Sequence, residues 1–189
     1  SAEWRTKQLE YTWVRSLTGA SHHEDFWLCT RDALDFVFAR NGIADPELAA
    51  GLMEAYRVLP AYPEVPAVLE AIRKKGMAIA ILSNGTPGML ADAVAAAGIE
   101  PLVDEVLSVE SVGIYKPDPR VYRLAARQFG CTSDRLYFIS GNAWDAQAAH
   151  ASGMQVVRVN RNGAPDEYGL AEAGLPVLQD LNGLIGLLS

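Results

Sequence analysis

From residue 66 onward the chain alternates short apolar runs with helical stretches of about ten residues, a pattern that few folds accommodate. The apolar runs read as strands over 77–82, 105–109, 136–140 and 155–159, and the stretches between them as helices over 66–75, 87–97, 119–129 and 143–152. Runs such as Ala78–Leu82 and Leu136–Ile139 show no polar alternation, as expected of strands whose two faces are both covered by helices. Strand–helix–strand units of this kind close right-handed onto a parallel sheet. The expected class is α/β, a parallel sheet with helices on both faces, finished by a short helix starting at Asp180.

The front of the chain reads differently. Leu9, Trp13 and Leu17 recur at helical spacing over 3–17, and Trp27, Leu34, Val37 and Phe38 do so over 25–41. Asn41-Gly42 supplies a stop, and Pro46 opens a third helix that runs to Arg57. Three helices with no strand between them predict a small bundle. Pro60, Pro63 and Pro66 then mark a linker, because each ring fixes φ and interrupts regular structure. The expected division is a helical domain over 1–62, the part that the resemblance described below implies to be a cap, and a sheet domain over 63–189. Ser1 is not an initiator methionine and the first residues already read as helix interior, so a preceding segment is expected.

Charge and composition narrow the function classes. The net charge is −7, with no block of Lys and Arg long enough to track a phosphate backbone, which disfavours nucleic acid as a partner. No apolar run approaches the roughly 18 residues of a membrane span, and no basic start precedes an apolar signal segment, so a cytoplasmic protein without a membrane partner is expected. Cys29 and Cys131 stand far apart and read as incidental thiols. His22, His23 and His150 lack metal-ligand spacing and read as surface histidines, leaving no metal or other cofactor expected.

In a sheet of this kind ligands bind beyond the carboxyl ends of the strands. The first such end carries Ser83-Asn84-Gly85-Thr86-Pro87. Thr86 as N-cap and Pro87 as first helical residue account for a plain strand-to-helix turn, but Ser83 and Asn84 are left over and point to a ligand. A second end leads into Tyr115-Lys116-Pro117, where Pro117 restricts Lys116 to extended backbone. By itself, Lys116 reads as a solvated loop lysine. A third end carries Ser140-Gly141-Asn142-Ala143-Trp144-Asp145, in which Asn142 and Asp145 are equally a capping box or a polar site, and Trp144 could be packing. Arg5, beside Trp4 on the first helix, reads either as an anion-gripping arginine or, more plainly, as the partner of Glu3 or Glu10.

Taken together, the segments WRTKQLEYTWVRSL, ILSNGTP, YKPDPRVY and SGNAWD resemble the haloacid dehalogenase superfamily, and within it the bacterial L-2-haloacid dehalogenases. The resemblance runs along essentially the whole chain. It implies a Rossmann-like core and a helical cap with the active site between them. It also implies covalent catalysis, in which an aspartate displaces halide from a short 2-haloacid with inversion and water then hydrolyses the ester to a 2-hydroxy acid. By position, Ser83 would bind the substrate carboxylate. Lys116 would hold the nucleophile, and Arg5 would receive the halide, with Asn84. Asp145 would orient Lys116 and activate the water, with Ser140, Asn142 and Tyr122 completing the network. Leu9, Phe26 and Trp144 would wall the alkyl group. A homodimer is also an implied assembly.

Two departures from the family stand out. Its Asp-x-Tyr/Phe-Gly-Thr segment is absent from residues 1–189, so the expected sheet lacks its first core strand and the nucleophile is expected before Ser1. Gly141 stands where dehalogenases often carry serine and where phosphatases of the superfamily place an acidic Mg²⁺ ligand. The rival expectations are therefore a phosphatase or phosphomutase, which Gly141 disfavours, and an inactive fragment that only binds.

Overall fold

The computed structural model describes residues 2–19 and 25–188; the expected surface histidines His22 and His23 lie outside the described residues. The helices are α1 (Ala2–Leu17), α2 (Phe26–Arg40), α3 (Pro46–Arg57), α4 (Val65–Lys74), α5 (Pro87–Ala97), α6 (Pro119–Gln128) and α7 (Ala143–Ala151). The strands are β1 (Ala80–Ser83), β2 (Glu105–Ser108), β3 (Tyr137–Ser140), β4 (Gln155–Val159) and β5 (Val177–Leu178). Among the described residues no helix is long and apolar enough to cross a membrane.

The α/β class is the one expected. β3, β4 and β5 form a parallel ladder in which Tyr137 lies opposite Gln155 and Arg158 opposite Val177. β1 and β2 form a second, separate ladder. The chain divides into two compact units, one of Ser1–Ala61, Ser83–Glu100 and Ser108–Lys116, the other of Tyr62–Leu82, Pro101–Leu107 and Pro117–Ser189.

In the first unit the caps explain the helix limits. Asp25, Asp45 and Thr86 each accept from the backbone N–H three residues on, and Pro46 and Pro87 sit in first turns where no N–H is needed. Trp4, Ala33, Leu34, Val37 and Met53 form the core between α1, α2 and α3. The buried face of α1 differs from the one expected. Leu17 is 87% exposed, and the face runs instead through Trp4, Gln8, Leu9 and Thr12. Two polar residues join it because their partners are inside: Thr12 donates to the Leu9 carbonyl at 2.7 Å, and Gln8 meets Thr30 and Tyr56.

Cys29 of α2 is 0% exposed. Arg15 donates to its sulfur at 2.9 Å and anchors on Asp32 at 2.6 Å, while the thiol faces the Tyr115 hydroxyl at 3.6 Å. Burial first, and then the Cys29 contact, hold the Tyr115 phenol protonated far above its usual range. Both cysteines are free thiols, as expected. Arg57, over the Trp27 ring at 5.6 Å, ties α3 to α5 by donating Nε to Asp92 at 2.7 Å.

Among the described residues, the second unit shows these apolar clusters. One gathers Tyr122, Ala143, Ala146, Ala149, Met154 and Val156; the other joins Val68 and Ile72 of α4 to Val157, Leu184 and Leu188. The strand expected over 77–82 starts only at Ala80, because the Ile79 N–H donates to the Asp104 carboxylate at 2.8 Å instead of to a ladder partner. The helix expected at Asp180 is also absent. Asp180 accepts from the Asn182 N–H in a turn, and a single 3₁₀ turn follows at Leu184–Gly186.

Asp104 supplies a test of this packing. Its bond from the Ile79 N–H, and then its bond from Arg73 at 2.7 Å, hold the carboxyl below its ordinary value of 3.8. A depressed folded pKa stabilises above the ordinary value and is lost as pH falls through the lower one. Asp104→Asn should therefore lower Tm at neutral pH and approach the parent in acid. A Tm gap that stays constant across a pH series would reject this account.

Candidate active site

The residues singled out by sequence fall into two groups, one in each unit. Arg5, Leu9, Phe26, Ser83, Asn84 and Lys116 belong to the first; Tyr122, Ser140, Asn142, Trp144 and Asp145 belong to the second.

In the first unit the turn after β1 is held at every residue. Ser83 Oγ accepts from the Gly85 N–H at 3.1 Å, the Gly85 carbonyl accepts from Ser108 Oγ at 2.7 Å, and Thr86 Oγ1 caps α5 through the Met89 N–H at 3.2 Å. A Cβ at Gly85 would lie 2.9 Å from Leu90 Cδ2, so the Leu90 side chain would have to shift to admit one. Ser83 Oγ accepts within the turn, and its hydroxyl carries one further proton as a donor. Asn84 is buried, and its Oδ1 accepts from the Lys116 N–H at 3.0 Å. That bond turns the Asn84 oxygen toward the Lys116 backbone, and its amide nitrogen carries two N–H donors.

Lys116 is 6% exposed. That removes the reading as a solvated loop lysine, since an ammonium is rarely buried so deeply without a charged task. Arg5 is half-buried and donates to Gln8 Oε1 at 2.5 Å. Its plainer reading also fails: Glu3 pairs with Arg40 at 2.9 Å and Glu10 with Lys7 at 2.9 Å. Leu9 and Phe26 are buried, and the Phe26 ring lies 6.2 Å from that of Tyr115.

In the second unit the equal choice at Asn142 and Asp145 is decided against the capping box. The Asn142 side chain makes no cap bond, and its N–H donates to Ser140 Oγ at 3.2 Å. Asp145 is 5% exposed and accepts instead from the Tyr122 hydroxyl at 2.7 Å and from Ser140 Oγ at 3.0 Å. The carboxylate is thus turned from the helix end onto two hydroxyls, in a buried and matched polar network. Burial first, and then the Asp145 charge, hold the Tyr122 phenol protonated well above its ordinary range, so it serves as a donor. Trp144 is half-buried and Asn142 exposed.

Gln8, Thr30, Tyr56 and Ser108 were not singled out by sequence, although they hold Arg5 and the β1 turn. The one available signal was the spacing of Trp4, Gln8 and Thr12, which places a polar residue one turn from a tryptophan on the same face.

Comparison with known proteins agrees with this picture. Residues 9–153 match the family described as haloacid dehalogenase-like hydrolase. The sequence is 41% identical over 172 residues to (S)-2-haloacid dehalogenase 1 of Pseudomonas sp. (strain CBS-3), a match covering 90% of this chain and 75% of that protein. The fold matches the crystal structure of the L-2-haloacid dehalogenase RSc1362 with a TM-score of 0.93 at 39% identity, covering 99% of this chain and 83% of that one. It also matches the L-2-haloacid dehalogenase from Xanthobacter autotrophicus with chloropropionic acid covalently bound, with a TM-score of 0.84 at 32% identity over 98% of this chain and 84% of that one. With most of its length matched by that family, and with buried polar groups at its motif positions, this chain belongs to the haloacid dehalogenase-like hydrolases.

Proposed function

We propose that the protein hydrolyses short-chain L-2-haloacids to 2-hydroxy acids with release of halide. An aspartate carboxylate attacks C2, the carbon–halogen bond breaks, and halide leaves with the bonding pair. Water then cleaves the resulting ester, restoring the carboxylate and giving the hydroxy acid with inverted configuration. The chemistry needs a carboxylate nucleophile that no matched motif within residues 1–189 supplies, so the tests are set in the full-length polypeptide.

The observation that carries this reading is Asp145, buried and aligned by the Tyr122 and Ser140 hydroxyls, a water-activating carboxylate of the kind the second step requires. Likeness to proteins named as (S)-2-haloacid dehalogenases supports the substrate class. Ser83 donates its hydroxyl to the substrate carboxylate, Lys116 offsets the charge of the nucleophile, and Arg5 with the N–H donors of Asn84 receives the halide. Asn142 assists the water, and Leu9, Phe26 and Trp144 surround the alkyl group. Residues 1–62 act as a helical cap and 63–189 as the core. The enzyme works in the cytoplasm as a homodimer, with no partner but its small substrate.

The full-length polypeptide should release halide from L-2-chloropropionate without added Mg²⁺ and leave p-nitrophenyl phosphate untouched. Mg²⁺-dependent phosphate release without halide release would instead establish a phosphatase. Neither product would indicate a binding protein.

A further inference from the structure

The bundle of α1, α2 and α3 buries a side-chain amide at a position where a helix face ordinarily carries an apolar residue. Gln8 is 1% exposed. An amide in such a place must be matched, donor to acceptor, or it costs stability, so its partners decide which way it points.

Thr30 decides it. Its hydroxyl donates to the Phe26 carbonyl at 2.6 Å, so its one proton is committed and its oxygen can meet Gln8 only as an acceptor. The group 2.6 Å from that oxygen is therefore the Gln8 nitrogen, which also reaches the Tyr56 hydroxyl at 3.1 Å. With the nitrogen so placed, Oε1 takes the Arg5 Nη1 donor at 2.5 Å. Trp4 closes the arrangement by donating to the Thr30 carbonyl at 2.8 Å.

A guanidinium has five donors and no acceptor, and in proteins it commonly rests on a carboxylate. The nearby acids are engaged elsewhere, Glu3 with Arg40 and Glu10 with Lys7. Arg5 rests instead on a neutral oxygen. A neutral acceptor fixes direction without cancelling charge, which separates an arginine that binds an anion from one that merely completes a salt bridge.

We propose that Gln8 is a positioning residue for halide departure. Thr30 and Tyr56 set the amide, the amide sets Arg5, and Arg5 keeps a full positive charge for the leaving halide. This inference rests on the reading of Arg5 as halide receiver.

The test uses the full-length polypeptide, L-2-chloropropionate as substrate and sodium chloride as an inhibiting probe. Gln8→Glu keeps the length and the bond to Arg5 but adds the cancelling charge. Its kcat should fall about 10- to 100-fold, and chloride inhibition should weaken about tenfold. KM should stay within about threefold, since the substrate carboxylate is bound elsewhere. Gln8→Met, apolar and of similar length, should lose kcat and chloride inhibition together while remaining folded, and it serves if the glutamate variant does not fold. A folded variant of either kind with parental kcat and parental chloride inhibition overturns the proposal, as does a change in Tm alone. Arg5→Lys separates the two ideas. If that variant is as active and as chloride-sensitive as the parent, the reading of Arg5 itself falls. If it is impaired while both Gln8 variants are normal, only the positioning role falls.

Discussion

Replacing Lys116 with alanine in the full-length polypeptide should remove halide release altogether, a loss of at least about 10³-fold in kcat, with no first-turnover burst. The side chain is buried, while its backbone N–H is held by Asn84. Truncation beyond Cβ leaves that backbone bond in place, so the turn should survive. What disappears is a cation in a place where water is scarce and charge acts strongly. An uncompensated carboxylate nucleophile would be left there, and its attack on a substrate that is itself an anion would meet repulsion unopposed. Near-parental turnover in a folded Lys116→Ala variant would refute the role. Lys116→Arg should not restore it, since a planar fork cannot replace a compact ammonium in a closed space.

Asp145→Asn should fail differently. Two hydroxyls donate to this carboxylate, one to each oxygen. An asparagine presents a donor where one of them expects an acceptor, so either the Tyr122 or the Ser140 bond breaks and the group loses its ability to take a proton from water. Displacement of halide does not need that proton transfer. The variant should release about one halide per active site and then stall, with steady-state turnover reduced about 10²- to 10⁴-fold. Intact mass measurement should show the enzyme's nucleophilic carboxylate esterified through C2 of the substrate, carrying its 1-carboxyethyl group. Steady turnover without accumulated ester would remove Asp145 from the hydrolytic step. The contrast with Lys116→Ala, which should show no burst at all, assigns each residue to one half of the reaction.

The sheet, the helices around it and most of their limits were legible because hydrophobic period and caps are local signals. Pro46–Arg57, Pro87–Ala97 and Gln155–Val159 fall where the pattern puts them. The pattern failed where a side chain competes with the backbone or a polar residue is matched inside. Asp104 takes the N–H that would have extended β1, and no periodicity in 77–82 could reveal a partner 25 residues away. Gln8 sits in the bundle because Thr30 and Tyr56 arrive from other helices, whereas a hydropathy reading counts glutamine as surface. The site was half legible in the same sense. Spacing alone makes Asn142 and Asp145 a capping box as readily as a polar site. The choice is made by Ser140, which takes the Asn142 N–H and gives its own proton to Asp145.

The setting of Cys29 has one more consequence. Short 2-haloacids are alkylating agents, and a thiolate within reach of solvent displaces their halide much as the enzyme's own nucleophile does. An enzyme that lives on such reagents risks being consumed by them. With its sulfur closed off by α2, the Arg15 guanidinium and the Tyr115 phenol, Cys29 presents no sulfur surface to the surrounding solution. The packing that reads as ordinary core thereby doubles as chemical self-protection, and it leaves Cys131 as the thiol more open to attack by the enzyme's own substrate.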